Sequence, residues 1–472
     1  MKNYSRFKTF RLRPLVVGLA FASALGAVNA KELGETTGLI DAAVGDVNET
    51  QFMKNMGLKF GGWVNAGVTY NAASPDNKFN GPLTFGDRAE ELQLNQFYLF
   101  MQRAVATEGD SWDVGGRVDF MYGSDSIFTQ AYGVPAYDVN SGVPMVRNHW
   151  DLHLLSHSNR FYDIALPQAY LETYVPVGNG LNIKAGHFYT PIGYEVVTAP
   201  DNFFYTKPYT FQYGEPFTHT GFLGNYAVDQ NWSVMGGAVT GSATGGWDGG
   251  WDQQLGSWAG IGGVTWTSED KGTSANISGT YGGTSEHSGQ PWALYSVVLK
   301  HNITDQLHLV LQHDHGFANK VITPNTQFDA NGNPISSTKE DATWYGVNTY
   351  LFYDILDNLG AGIRGEWFRD DDGFRVCSPA RVGAATYNSD AGAQSFASGQ
   401  NNLGALCSGS TGANFYAFTV GMTYKPLKWV NIRPNVRYDW VDGSSPLGGA
   451  YRPFGNNKQD QFVFSTDVVI SF

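Results

Sequence analysis

The chain has 472 residues and a formal net charge of −13, with 43 acidic against 30 basic side chains, a balance that disfavours a nucleic-acid partner. Glycine (58 residues) is far above its usual share and 14% of the chain is aromatic, a composition suited to strands whose two faces meet different solvents. The metalloprotease HExxH, the hydrolase GxSxG, the phosphate-binding GxxxxGK and the redox CxxC are all missing, so neither an enzyme nor a cofactor is expected, although a hydrolase assembled from separate strands stays open as a third reading.

Lys2, Arg6, Lys8, Arg11 and Arg13 precede an apolar block from Leu15 to Leu25 and the small residues before Lys31. This reads as a secretory signal peptide over residues 1–30, since the apolar block falls short of the roughly 18 residues that span a bilayer as a helix. Five basic and no acidic side chains lie there, so the remainder carries −18. Residues 31–57 are polar and helix-compatible around Leu39 to Val47, and read as a periplasmic lead-in, with a pore plug as the alternative. From Leu58 the period changes to two, and residues 58–472 form the third unit.

Sixteen alternating windows follow: Leu58 to Tyr70, Glu91 to Arg103, Ser111 to Tyr122, Phe161 to Val177, Leu181 to Phe188, Pro216 to Val228, Trp232 to Thr240 and Trp258 to Thr267 make the first half. Thr273 to Gly282, Trp292 to Asn302, Gln306 to His315, Thr343 to Asp354, Asn358 to Arg369, Asn414 to Lys425, Trp429 to Val441 and Asp460 to Phe472 make the second. The links between them are short and long by turns. No apolar run is long enough for a spanning helix, and only helices and closed barrels satisfy every backbone group in hydrocarbon. The expected fold is therefore all-β: a transmembrane, up-and-down antiparallel barrel of about sixteen strands, with short periplasmic turns and long extracellular loops. In the closing window Phe462, Phe464, Val468 and Ile470 share one face and Gln461, Ser465 and Asp467 the other. Closure pairs this window with Leu58 to Tyr70 and puts Phe472 near that first strand's start.

Parity then assigns a lumen face. Arg117, Asp119, Glu172, Lys184, His308, Gln312, Asp314, Arg364, Glu366, Arg433, Asn435, Arg437 and Asp439 point inward as pore-lining candidates, opposite apolar neighbours such as Val118, Leu171 and Val436. A charge on the lipid side would cost roughly 2–4 kcal/mol near the midplane. The same mixed-sign set serves either as a transverse field along a pore or as salt-bridge fill in a barrel that conducts little. Two links have the composition to fold inward. Val146 to Phe161 has a helical period with His149, His153 and His157 four apart, a spacing that could hold a transition metal but reads first as a short pore-side or surface helix with solvated histidines, and no metal site is assigned. Thr190 to Tyr213 is stiff with Pro191, Pro200, Pro208 and aromatics. Asp370, Asp371, Asp372 and Gly373 suggest a calcium turn without the closing glutamate, and so a solvated acidic tip. Cys377 and Cys407 form one pair available for a disulfide in an oxidising compartment; two free thiols are the other reading.

Several runs carry a specific likeness: GWVNAGVTYN from Gly62, WDVGGRVDFMYGSD from Trp112, LPQAYLE from Leu166, KAGHFYTPIGYEVVTAPDNFFY from Lys184, YGEPFTHTG from Tyr213 and RPNVRYDW from Arg433. They resemble the OmpL-like beta-barrel porins of Gram-negative bacteria, along essentially the whole barrel. The resemblance implies an outer-membrane channel for passive diffusion of small hydrophilic solutes or ions, without catalytic or binding residues to carry over. A non-conducting barrel with a structural or adhesion role is the alternative. Expected partners are outer-membrane lipid and lipopolysaccharide, the barrel-assembly machinery through the closing strand, small solutes, and further copies of the chain in a homotrimer.

Overall fold

The computed structural model describes residues 36–76, 78, 80–129, 136–137, 144–145, 162–240, 258–283, 291–322, 340–373, 375–376, 412–444 and 449–472. Residues 1–35, the histidines at 149, 153 and 157, and Cys377 and Cys407 lie outside them.

The barrel strands are β1 Leu58–Asn71, β2 Leu92–Arg103, β3 Asp113–Gly123, β4 Ala169–Val175, β5 Leu181–Tyr189, β6 Thr218–Ala227, β7 Trp232–Thr240 and β8 Trp258–Thr267. They continue as β9 Thr273–Gly283, β10 Pro291–Asn302, β11 Leu307–Ile322, β12 Glu340–Leu356, β13 Leu359–Asp370, β14 Ala413–Leu427, β15 Asn435–Gly443 and β16 Asp460–Ser471. Each is antiparallel to its neighbours. Two short ladder segments, Asp163–Ala165 and Val430–Ile432, run into β4 and β15, so the closed ring has sixteen strands. Closure comes from β1 on β16, Trp63 opposite Ser471 through to Asn71 opposite Val463.

Alternation in β16 shows why the sequence closes this way. Phe462, Phe464 and Val468 are exposed on the outer wall, whereas Gln461, Val463, Ser465 and Asp467 are buried on the inner one. A one-residue slip would put Asp467 into hydrocarbon, so the polar face fixes the register. The outer wall also carries aromatic rows, with Tyr416 stacked on Trp440 (5.0 Å between ring centres) and Tyr345 edge-on to Trp367 (5.5 Å). His313 and His315 belong to this outer side, against Tyr295, while Asp314 is buried on the inner.

Departures from the sequence reading have local causes. The fourth and fifteenth windows are each interrupted at a proline, Pro167 and Pro434, which has no N–H for the ladder. The neighbouring strands adapt, Asp119 N–H donating to Gln168 O (2.8 Å) and Met422 N–H to Pro434 O (2.9 Å). β11 runs on to Ile322, seven residues beyond the expected end, because β12 also begins earlier and keeps it paired. Asp370 is no solvated tip: it is buried and accepts the N–H groups of Arg375 (2.8 Å) and Val376 (2.9 Å), while Asp372 accepts that of Thr343.

Before the barrel, α1 (Leu39–Val44) and α2 (Gln51–Met56) cross the short-turn rim at the β1–β16 seam. The first residues of β1 precede its pairing with β16 and leave a strand edge. Asn48 covers it, its Nδ2 donating to Phe60 O (3.0 Å) and its Oδ1 accepting Phe60 N–H (2.7 Å). One rung on, Gly62 and Phe472 exchange N–H···O bonds of 2.9 Å. A side chain at Gly62 would meet Tyr98 O at 2.2 Å, so only glycine fits this rung. Trp429 Nε1 donates to Thr36 Oγ1 (2.8 Å), fastening the lead-in to the same rim.

Candidate functional site

The lumen of the barrel is divided by the link between β5 and β6. Residues 190–217 turn inward, and from Ala199 to Phe217 almost every side chain is buried. Four prolines, Pro191, Pro200, Pro208 and Pro216, stiffen this inner segment, Pro200 opening a 3₁₀ turn at Ala199–Asp201 and Pro208 preceding a π-helical turn, Thr210–Gly214. Such a span has few internal hydrogen bonds, so its carbonyls need donors from the wall.

The wall supplies them. Arg433 directs Nη1 at Ala199 O (2.5 Å) and Asn202 O (2.8 Å), and forms a two-pronged ion pair with Asp467. Arg364 donates to Glu195 Oε1 (2.6 Å) and Thr206 O (2.9 Å), with its guanidinium 5.1 Å from the Phe204 ring centre. Arg437 reaches Lys207 O (2.5 Å) and Asp439 (2.7 Å). Carboxylates and amides of the wall take the segment's donors: Glu366 accepts Thr210 N–H (2.8 Å), Asp439 accepts the Tyr209 hydroxyl (2.8 Å), and Gln96 Oε1 accepts Ala199 N–H (3.1 Å). Asn435 faces Thr206 Oγ1 (3.2 Å), and Gln312 donates to both Glu215 and Asp314. Arg364, Glu366, Arg433, Asn435, Arg437, Asp439, Gln312 and Asp314 therefore stand on the inner wall beneath the segment, all buried. Charge-assisted bonds of this kind are short and strong when dry, and they hold the segment in place.

Arg117 and Asp119 form a second cluster on β3. Asp119 is buried and accepts Arg117 Nε (2.6 Å), Gln168 Nε2 (2.8 Å) and the Tyr98 hydroxyl. The Arg117 guanidinium lies 4.4 Å from the Phe100 ring centre and is half-buried. Glu172 and Lys184 face each other across one rung of β4 and β5, lower in the lumen and partly open to water. His308 sits at the short-turn rim between Asn302 (2.8 Å) and Asp354 (3.1 Å).

Inside the segment, burial pulls the Lys207 ammonium down to about 8, partly offset by Glu195 at 3.4 Å. Just past β3, burial pushes Asp125 up to about 7 although Asn95 and Gln96 both donate to it (2.9 Å each). Among the described residues no group of three or more His, Cys, Asp or Glu is placed to hold a metal.

Sequence reasoning missed Glu195, Lys207, Tyr209 and Glu215, whose roles depend on where the segment goes. It missed Lys300 for another reason. Both faces of β10 carry apolar residues, Trp292 and Leu294 on one and Tyr295 and Val297 on the other, so periodicity gave no inward side.

A family model described as "Putative beta-barrel porin-2, OmpL-like" matches residues 57–472. No curated protein matches the chain. The solved outer-membrane channel DcaP of Acinetobacter baumannii is similar over 88% of this chain and 97% of its own, at 13% identity and a TM-score of 0.48. An anion-selective porin from Comamonas acidovorans is similar over 88% and 99% (9% identity, TM-score 0.49), and OprB of Pseudomonas putida over 91% and 98% (12% identity, TM-score 0.49).

Proposed function

Because the chain belongs to the OmpL-like beta-barrel porin family and is a porin-like channel of the outer membrane, we propose that it passes small hydrophilic solutes or ions by passive diffusion, along the part of the wall that the inner segment leaves uncovered. The observation that carries this reading is a polar stretch on β5 to β9 at the short-turn end. A cavity of about 310 Å³ is lined there by Asn179, Asn182, Asn225, Ser233, Met235 and Thr265. Asn276 Nδ2 donates to Thr265 Oγ1 (2.8 Å) at its edge. Amides and hydroxyls of this kind replace hydration without binding tightly, which a passive path requires.

Charge on this stretch differs from charge under the segment. Lys184 on β5 lies 4.8 Å from the Tyr170 ring centre, and Lys300, beyond the stretch on β10 at the margin of the inner segment, lies 5.1 Å from that of Tyr194. Among the described residues neither has a carboxylate within ion-pair distance, whereas Arg364, Arg433 and Arg437 are all paired. The path therefore favours small anions, and Lys184 and Lys300, rather than Arg433 and Arg437, set the preference. In planar bilayers under a salt gradient the expected chloride-to-potassium permeability ratio is above one, and falls below one in the Lys184→Glu/Lys300→Glu variant. A ratio that the double variant leaves unchanged would remove both lysines from the path.

A second reading, a barrel that conducts little and serves the envelope structurally, is favoured by how completely the wall arginines are used to hold the segment. Folded, heat-modifiable protein that gives no conductance steps would decide for it. Export by removal of residues 1–30, insertion by the barrel-assembly machinery through residues 460–472, and a homotrimeric assembly belong to the same proposal. Intact mass of the membrane-extracted chain and cross-linking in whole cells test these three.

A further inference from the structure

Outside the barrel, at the rim opposite the short turns, a cavity of about 810 Å³ opens where the link from β15 to β16 folds down over the wall. Its back is the outward face of the last two strands, Tyr438, Trp440 and Asp460; its front is Arg452, Asn457, Lys458 and Gln459. The front is held by the link's own anchoring. Tyr451 and Phe454 are buried inside, Tyr451 N–H donates to Gly443 O (2.9 Å), and Phe454 and Lys458 exchange two backbone bonds of 3.2 Å. Asn456 and Asn457 turn between them with φ of +58° each. Arg452 and Lys458 are thereby presented outward.

The charge there is unbalanced. Arg452 and Lys458 have no carboxylate partner among the described residues, and the one acid in the cavity, Asp460, already accepts the Tyr438 hydroxyl at 2.7 Å. Just below, Tyr438, Trp440 and Tyr416 stack in a row, and Phe462 and Phe464 are exposed on the strand beside them. An aromatic girdle of this kind marks the level of lipid headgroups. Two cations at that level, over aromatic faces and beside the amides of Asn457 and Gln459, match a phosphate carried on a sugar. We propose that this cavity binds the phosphorylated headgroup of an outer-leaflet glycolipid, with Arg452 and Lys458 on the phosphate, the amides on sugar hydroxyls and Trp440 against the ring or the first acyl carbons. Charge-assisted donors supply the strength and the planar guanidinium the selectivity for phosphate.

The test uses full-length protein purified in detergent, delipidated, and titrated with bisphosphorylated lipid A, dephosphorylated lipid A and inorganic phosphate, with bound mass read by native mass spectrometry. The wild type should retain the bisphosphorylated lipid, and removing both cations in Arg452→Ala/Lys458→Ala should weaken it by about tenfold or more. Both side chains are exposed, so heat-modifiable migration should stay as in the wild type. Equal retention by wild type and variant overturns the proposal. So does equal affinity for the dephosphorylated lipid, and inorganic phosphate competing at the same concentration as the lipid would mean that the cavity takes a free anion instead.

Discussion

Arg433→Ala tests whether the inner segment is what limits the lumen. The guanidinium is buried and does three things at once: it satisfies two segment carbonyls, Ala199 O and Asn202 O, and neutralises Asp467. Removing one partner of a buried ion pair costs about 3–5 kcal/mol, because the remaining charge is left without compensation. Asp467 keeps one donor, Asn65 Nδ2 at 2.6 Å, so the lower end of that range applies. The closed ladder cannot relax to relieve the loss, but the segment can move and admit water. If about 3 kcal/mol falls on the segment's hold, the displaced population rises by about a hundredfold, at tenfold per 1.4 kcal/mol. Single-channel recording should then show larger, noisier steps from a barrel that still migrates as folded. Adding Asp467→Asn removes the stranded charge, and should recover thermal stability without recovering the wild-type step size. Wild-type conductance in the single variant would refute the view that Arg433 holds a constriction; recovery of conductance in the double variant would put the effect on the bare carboxylate.

Asp125 gives a pH signature. Its folded pKa of about 7 exceeds the ordinary value of about 3.9, so its contribution is fully present below about pH 4 and is lost as pH rises through 7. The facing groups are Asn95, Gln96, Lys207 and Asp87, and Lys207 is half-titrated only at about 8. The heat-modification midpoint should fall between about pH 5 and pH 7.5, and Asp125→Asn should flatten that slope; an unchanged slope would exclude Asp125. Deleting Phe472 removes the two backbone bonds to Gly62 and the contact with Phe60 at 6.4 Å. Surface levels should drop while the conductance of assembled barrels stays the same, and normal surface levels would contradict this.

How much of this was legible in the sequence depends on whether neighbouring residues were enough to read it. In β16 they were: phenylalanines alternate with Gln461, Ser465 and Asp467, which gives the strand, its register and its partner together. The interruption at Pro434 was equally local, yet the fifteenth window was read straight through it. Parity also gave Arg364, Arg433 and Arg437 an inward direction, but it says nothing of what stands opposite. That is decided by residues 190–217 folding across from another part of the ring, whose carbonyls accept from the arginines read as pore lining. β10 shows a different limit. With apolar side chains on both faces, hydrophobicity could not tell lipid from packed lumen, and Lys300 went unassigned. At Asp370 to Gly373 composition suggested solvation; Asp371 is exposed, whereas Asp370 and Asp372 serve backbone N–H groups that only the fold brings near.

The lead-in at the seam has a consequence for the order of assembly. Thr36 and Trp429, joined by a hydrogen bond, are 393 residues apart, and closing a flexible loop of that length costs about 5 kcal/mol in chain entropy. The single hydrogen bond between Thr36 and Trp429 could not meet that cost alone. Once β1 and β16 are paired, the tether from Asn48 to the first rung is only a few residues, and docking of the lead-in becomes a local event. The Thr36 end of the lead-in can thus dock on Trp429 only when the last strands are in place, whereas Asn48, twelve residues from Phe60, can cap the start of β1 beforehand.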